Sequence, residues 1–411
     1  MLGRASMESA RPGTSNRSVY VARQAIFDRN RQVVGYELLA RAGRGDYPDA
    51  PEPGVQAVLD MGLDELTGEL PGFVSISGDF LRWGSYMDLS GEGLVLQLGP
   101  DELVDDHLCK AAADAREAGF GLALDGYSVD DPRRELVELA DFVKIEVNHS
   151  SRTKLSRLLD DFRRTPAVPL ATRVDTPQEF DILRQLGFSQ FQGFFYERPS
   201  PEAGAALSGD RLALLRLTAE LQRPDLELGD ASRIVRSDLG LTYRLLRLVN
   251  SAAFGLVTPV DDVHDAVVML GLSTLRNVAA LISFTMQDDK PTELSMIAMV
   301  RAKMCELLAA RAGTASEHAA FTAGLLSVLD GFVDAPLDTV LGELPITEEL
   351  RNALLYRNGA IGRVLDATVA YEHVDLETLE TCGIEFSDAL HAYMGAVRWA
   401  EAARQGMLLT R

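Results

Sequence analysis

Two textures of hydrophobic spacing divide the chain. From 19 to about 199, short apolar runs alternate with amphipathic stretches. The runs are Val19–Ile26, Phe73–Ser77, Leu94–Leu98, Gly121–Leu124, Phe142–Val147, Leu170–Val174 and Phe191–Tyr196. Between them Val55–Leu66, Asp101–Ala118, Ser150–Arg164 and Pro177–Leu186 carry helical spacing. Buried strands alternating with helices predict repeated βα units and a barrel, whose chemistry sits at the C-terminal strand ends. There is no Gly-x-Gly-x-x-Gly turn after the first strand, which argues against an open dinucleotide fold. Residues 200–210 are rich in Pro, Gly, Ala and Ser and read as a linker. From 211 to 411 the period is helical throughout, as in Leu212–Gln222, Ala231–Ser237, Leu241–Val249, Val263–Leu270, Ser273–Thr285, Glu293–Arg311, Glu317–Leu329 and Phe386–Arg404. Asp230 and Ser316 are expected as helix caps. The predicted fold is α/β followed by all-α.

Charge narrows the partners. With 40 basic and 61 acidic residues, the net charge of −21 disfavours nucleic acid and anionic membranes. No eighteen-residue apolar run is evident, so no membrane span is expected. Residues 1–18 are polar and read as a floppy extension without a secretory apolar region, leaving the cytoplasm as the default compartment. Cys109, Cys305 and Cys382 are far apart and odd in number, which predicts reduced thiols rather than disulfides or a zinc site.

One strand end stands out: in LALDGYS (122–128) an apolar run delivers a single carboxylate, Asp125, followed by a glycine. The segment VARQAIFDRNRQVVGYELLAR (21–41), with Glu37, Leu39 and Arg41 as Glu-x-Leu-x-Arg, resembles the opening of EAL domains. The resemblance continues through FVSIS, LVLQL, LALDGYS, DFVKIEV, PLATRV and FQGFFYERP in the family's order, over about 180 residues. EAL domains are barrel phosphodiesterases that cleave cyclic di-GMP with two divalent metals on carboxylates and an amide. The resemblance makes Glu37 a metal ligand and Asp125 the first residue of an Asp-Asp pair. It places Lys144 near the attacking water, Gln192 at the far rim and Arg41 on a ligand phosphate. Other positions depart from it. Ser75 replaces a ligating asparagine, Gln97 a ligating glutamate, Gly126 the second aspartate, and Thr172 the glutamate of Ala-Glu-Gly-Val-Glu. The plain alternative is that Glu37 pairs with Arg41 four residues on, and Lys144 with Asp125.

The second half, through ASRIVRSDLGLTYRLLRLVNSAAFGL (231–256) and VDDVHDAVVMLGLSTLRNVAALIS (260–283), resembles the HDOD domain, an all-α relative of HD-type phosphohydrolases. Asp238, Leu245, Asn250-Ser251 and Leu270-Gly271 are its landmarks. His264-Asp265 mimics a metal-binding dyad but lacks further ligands in sequence, so it reads as a helix start capped by Asp261 or Asp262. The true dyad position falls at Ser327 and Val328.

With so many carboxylates replaced, the expectation is a non-catalytic signalling adaptor, not an enzyme, with no metal and no cofactor. The alternatives are a cyclic di-GMP receptor or a weak residual phosphodiesterase using Mg²⁺. The expected partner is a regulatory protein, with a homodimer as a further possibility, and no nucleic acid or membrane.

Overall fold

A computed structural model of the chain describes residues 19–42, 52–148, 150–162, 164–199, 209–223, 225–256, 258–285, 290–313 and 315–407. The expected extension at 1–18 and all but the last two residues of the linker lie outside the described residues.

Eight strands close into a barrel in sequence order: β1 (Val19–Asp28), β2 (Val33–Ala42), β3 (Gly72–Ile76), β4 (Leu94–Leu98), β5 (Gly121–Leu124), β6 (Phe142–Glu146), β7 (Val168–Thr172) and β8 (Gln190–Gln192). Strands β2 to β8 run parallel, while β1 runs against both its neighbours, β2 and β8. The β1–β2 turn at Asp28–Gln32 explains why. Two strands joined by so short a turn pair antiparallel, whereas parallel neighbours need a crossover.

Side chains alternate between barrel interior and exterior. The interior floor is apolar, built from Ile26, Phe73, Val95, Ala123 and Leu170 with Val34 and Phe142 against them. Two residues further along β3 to β7, the next inward positions are Ser75, Gln97, Asp125, Lys144 and Thr172. The polar mouth is one pleat above an apolar plug.

The rest is helical. Helices Leu228–Arg236, Leu239–Val249, Val263–Thr285, Thr292–Ala312, Glu317–Leu326 and Phe386–Met407 correspond to expected segments. The long Val263–Thr285 segment is broken at Gly271, whose backbone is left-handed (φ 70°), so the two predicted helices on either side are real. The same segment is the one helix among the described residues that resembles a membrane span by length and composition. Val263–Ser283 is long and apolar enough by composition, and more than half of it is buried inside the protein.

Two corrections concern local chemistry. Asp230 is not a cap: the helix begins at Leu228, and Asp230 sits in its first turn paired with Arg233. Between 329 and 381 lie Leu329–Val333, Leu337–Gly342, Glu348–Tyr356, Gly359–Glu372 and Leu376–Thr381, where no helix was expected after Leu329. Gly359–Glu372 buries Ile361, Val364, Leu365, Thr368 and Tyr371 around most of its circumference, so it lacks the polar face that periodicity detects. Ser316 does cap its helix, accepting from the Ala319 N–H at 3.4 Å, and Asp238 caps Leu239–Val249.

The helical half packs on β1 and β2. The Tyr371 hydroxyl donates to the Val21 carbonyl at 2.9 Å, and the Tyr36 hydroxyl donates to Glu293 at 2.8 Å. Tyr20 stacks on Tyr371, ring centroids 4.4 Å apart. Buried Arg301 lies between Glu197, which follows β8, and Glu372 of the helical half, at 3.1 and 2.6 Å.

Candidate active site

The C-terminal strand ends bring most of the expected residues to one place. Lys144, 2% exposed on β6, points its ammonium into an oxygen cage. Nζ lies 2.9 Å from Glu37 Oε2, 2.8 Å from Gln97 Oε1 and 3.6 Å from Asp125 Oδ1. Gln97 Nε2 donates to Glu37 Oε1 at 2.9 Å and to Ser75 Oγ at 3.2 Å. Gln192 Nε2 donates to the other oxygen of Glu37 and, at 2.8 Å, to Gln24 Oε1. Burial pushes the Glu37 carboxyl up. The Lys144 ammonium and the amide donors Gln192 and Gln97 outweigh it and hold the group below the usual carboxylate range.

The expected Glu37–Arg41 pair does not form. Four residues along a strand span roughly 13 Å at ~3.3 Å each, a spacing that joins side chains only on a helix. Glu37 takes Lys144 instead, and Arg41 lies exposed further out on the rim. The expected Lys144–Asp125 pair is present but is the longest of the three Nζ contacts. Asp125 is 37% exposed, so it faces the opening. Gly126 follows in the left-handed region (φ 61°). Thr172 closes β7, and its carbonyl accepts from the Val147 N–H at 3.3 Å.

Two contributors were missed from sequence. Gln24 belongs to the site through Gln192, and the inward alternation of Gln24 and Ile26 on β1 is the signal that could have shown it. Arg133, fully buried, donates to the carbonyls of Leu98, Gly99 and Asp125 at 3.1, 2.8 and 2.8 Å, so it positions the loop that carries Asp125. Its own charge is balanced by Asp131 at 2.8 Å. Burial would raise the Asp131 carboxyl, but hydrogen bonds from Arg133 hold it low.

The donor set can be tested against a metal. Glu37, Asp125 and Gln97 offer hard oxygens around one cation position, which the Lys144 ammonium fills, and Ser75 reaches it only through the Gln97 amide. They suit one divalent ion in its place; carboxylates for a second are lacking among them.

In the helical half the other expected residues lie apart. His264 and Asp265 are exposed at a helix start, where the His264 N–H donates to Asp262 at 2.6 Å. Ser327 Oγ accepts from Arg301 at 3.2 Å, and Val328 is buried. No group of three or more potential metal ligands occurs among the described residues of the kind that includes histidine, cysteine and carboxylates. Cys305 is buried, with its thiol pushed up to about 12 by desolvation, and Cys109 and Cys382 are partly buried free thiols.

Comparison with known proteins adds five findings. A family model for the HDOD domain matches residues 212–333. The cyclic di-GMP phosphodiesterase CdgJ of Vibrio cholerae is 28% identical over 403 residues, covering 93% of each chain. The uncharacterized protein YuxH of Bacillus subtilis is 26% identical, covering 93% of this chain and 98% of its own. Among solved structures, Klebsiella pneumoniae BlrP1 in a manganese and cyclic di-GMP complex gives a TM-score of 0.36 at 18% identity. That match covers 45% of this chain and only 57% of the Klebsiella chain. The Bacillus subtilis YkuI protein, with an EAL domain, cyclic di-GMP and calcium, gives 0.36 at 17%, covering 61% and 71%. The name of the Vibrio relative overturns the expectation that the chain is not an enzyme. The expectation of no cofactor is corrected with it. The two solved proteins are described as complexes with manganese and with calcium. The chain therefore joins an EAL-like barrel to an HDOD domain.

Proposed function

We propose that this protein works in cyclic di-GMP signalling as a phosphodiesterase, binding the cyclic dinucleotide at the barrel mouth and cleaving it slowly. The observation that carries this reading is the convergence of Glu37, Gln97, Asp125 and Gln192 around the Lys144 ammonium at the strand ends. Gln192 Oε1 is buried without a protein partner, an acceptor suited to a ligand N–H. Glu37, oriented by two amides, is the carboxylate placed to take a proton from an attacking water. Arg41 at the rim meets a phosphate. Lys144 neutralises charge that builds on the phosphoryl oxygens. A divalent ion held by Glu37 and Asp125 in place of the ammonium would supply that charge neutralisation at the phosphate. Ser75, Gln97, Gly126 and Thr172 stand where the EAL pattern has ligands, which is the reason for slow turnover.

The test is linear dinucleotide release by the full-length protein with Mn²⁺ or Mg²⁺, followed by chromatography. Product that disappears in Glu37→Gln supports the reading; no binding and no product sinks it. The helical half is proposed to pass the signal to a regulatory protein partner. Exposed Leu239, Tyr243, Val268 and Met269 on that half supply apolar surface for such a contact. A homodimer is the alternative occupant, and light scattering of the full chain separates the two.

A further inference from the structure

Six non-glycine residues among those described have a left-handed backbone, and two of them, Arg173 and Val374, line the same cleft. They come from different domains. The cleft opens beside Ser75 and Arg41 at the barrel mouth, and His373 and Val374 of the helical half form its opposite wall. Backbone conformations that side chains rarely adopt cluster at functional sites, where the surroundings enforce them.

Each is enforced here by bonding on both sides. At the end of β7 the Thr172 carbonyl accepts from Val147, and the Val174 N–H donates to the Gln192 carbonyl at 3.0 Å. Residue 173 must therefore absorb the turn (φ 59°), at the position where the EAL pattern Ala-Glu-Gly-Val-Glu has glycine. An arginine is held there instead. It pairs with Glu146 at 3.3 Å, with side chains 66% and 50% exposed, a surface pair that a ligand can displace. In the helical half, Val374 occupies the position just past a helix end where glycine is usual. The Val374 N–H donates to the Tyr371 carbonyl and the Asp375 N–H to the Ala370 carbonyl, the double bond that closes such a helix end. A β-branched residue with this backbone is a genuine outlier. The neighbouring His373 ring is fixed edge-on against Phe194, centroids 4.4 Å apart, while the residue stays exposed. One carboxylate, Glu52, also lines the cleft, and its Oε1 is taken up by the Ser77 N–H at 2.9 Å.

We infer that the ligand cleft is shared between the two domains. Arg173, with Arg41, binds a phosphodiester of the dinucleotide, and His373 with Val374 forms the wall against which a guanine packs. The inference rests on the cyclic di-GMP reading above and extends it: the helical half touches the ligand directly, so occupancy is felt there without a relay.

The test is calorimetric titration of the full-length protein with cyclic di-GMP and, separately, with its 5′-phosphorylated linear product. Arg173→Gly relieves the backbone and removes the charge; His373→Ala removes the ring. Both residues are exposed, so neither variant should melt more than ~2 °C below wild type. Each variant should weaken Kd at least ~5-fold, about the loss of one charge-assisted contact or one stacking contact. Wild-type binding with both variants within ~2-fold overturns the shared cleft. If cyclic di-GMP is cleaved in a Glu37-dependent way and both variants behave as wild type, only this inference falls. If the linear product binds with Arg173 and His373 dependence but no cleavage occurs, the phosphodiesterase reading falls and the shared cleft stands. Binding of neither ligand overturns both.

Discussion

Replacing Lys144 with methionine is the sharpest perturbation of the mouth. The side chains are similar in length, so the change deletes a charge and little volume. Nζ lies 2.9 Å from Glu37, which is 8% exposed. Breaking a buried pair by removing one partner costs ~3–5 kcal/mol, because the other charge is left uncompensated. Glu37 keeps its donors from Gln97 and Gln192, so the lower end, roughly 3 kcal/mol, is expected. For a domain the size of the barrel that is a fall of ~6–12 °C in the melting midpoint. A divalent ion should then enter the same oxygens more easily, since the ammonium no longer competes for them. At ~100 times its Kd such an ion returns ~2.7 kcal/mol, most of the loss. The assay is thermal melting of both proteins with and without Mn²⁺, followed by circular dichroism. A fall of less than ~2 °C would show that Glu37 is well solvated after all. An identical Mn²⁺ response in the two proteins would show that ammonium and ion do not share a position.

Other outcomes follow from buried groups elsewhere. Arg301→Met strands Glu197 and Glu372 across the domain interface. It should cost ~3–5 kcal/mol and loosen the helical half, read by denaturant titration and faster proteolysis. Asp330→Asn tests a pH dependence. Burial raises the Asp330 carboxyl to about 6, so above that pH the folded state carries the full cost of a buried charge. That cost fades as pH falls through about 6 and is gone below the ordinary aspartate value. The Asn variant should be more stable than wild type by roughly 2 kcal/mol at neutral pH, with the gain vanishing near pH ~4. Equal gains at both pH values would refute the burial argument. Gly193→Ala places a Cβ 2.1 Å from the Val174 carbonyl oxygen. It should pull β8 from β7, draw Gln192 off Glu37 and abolish turnover in the product-release assay, while a mere local adjustment would leave turnover intact.

How legible the site was depended on the kind of interaction. Most barrel strands could be read because they are short apolar runs that need burial on both faces, and Asp125 could be placed because it ends one; β2, which carries Glu37 and Arg41, is not such a run and showed only through the resemblance. The pairing of Glu37 could not. A spacing of four suggests a partner only if the backbone is helical, and the partner it takes, Lys144, is 107 residues away on β6, where only barrel closure brings it near. Asp230 failed as a cap for a local reason: the helix starts two residues earlier, and an acidic residue in a first turn is as favourable there as at the cap. The helix Gly359–Glu372 was invisible because burial around most of its surface erases the polar face, while Leu337–Gly342 and Leu376–Thr381 are only six residues long, too short for a period to show.

The segment after β8 shows why site and interface should respond together. Gln192 donates to Glu37, and Gly193 is pressed against Val174. Phe194 packs on His373 of the helical half, while Phe195 stacks on Phe180 in the barrel core at 4.7 Å. Glu197 then reaches Arg301. Six consecutive residues thus touch the site, the shared cleft, the barrel core and the domain interface. Close-packed interiors transmit displacement rather than absorb it. With Phe195 anchored in the core, the ends of the segment can move only as a short lever. Any shift of Gln192 on ligand entry is felt at Phe194 and Glu197, the two side chains that meet the helical domain. Coupling between barrel and helices therefore needs no rearrangement of either domain, only a change in how this segment is held.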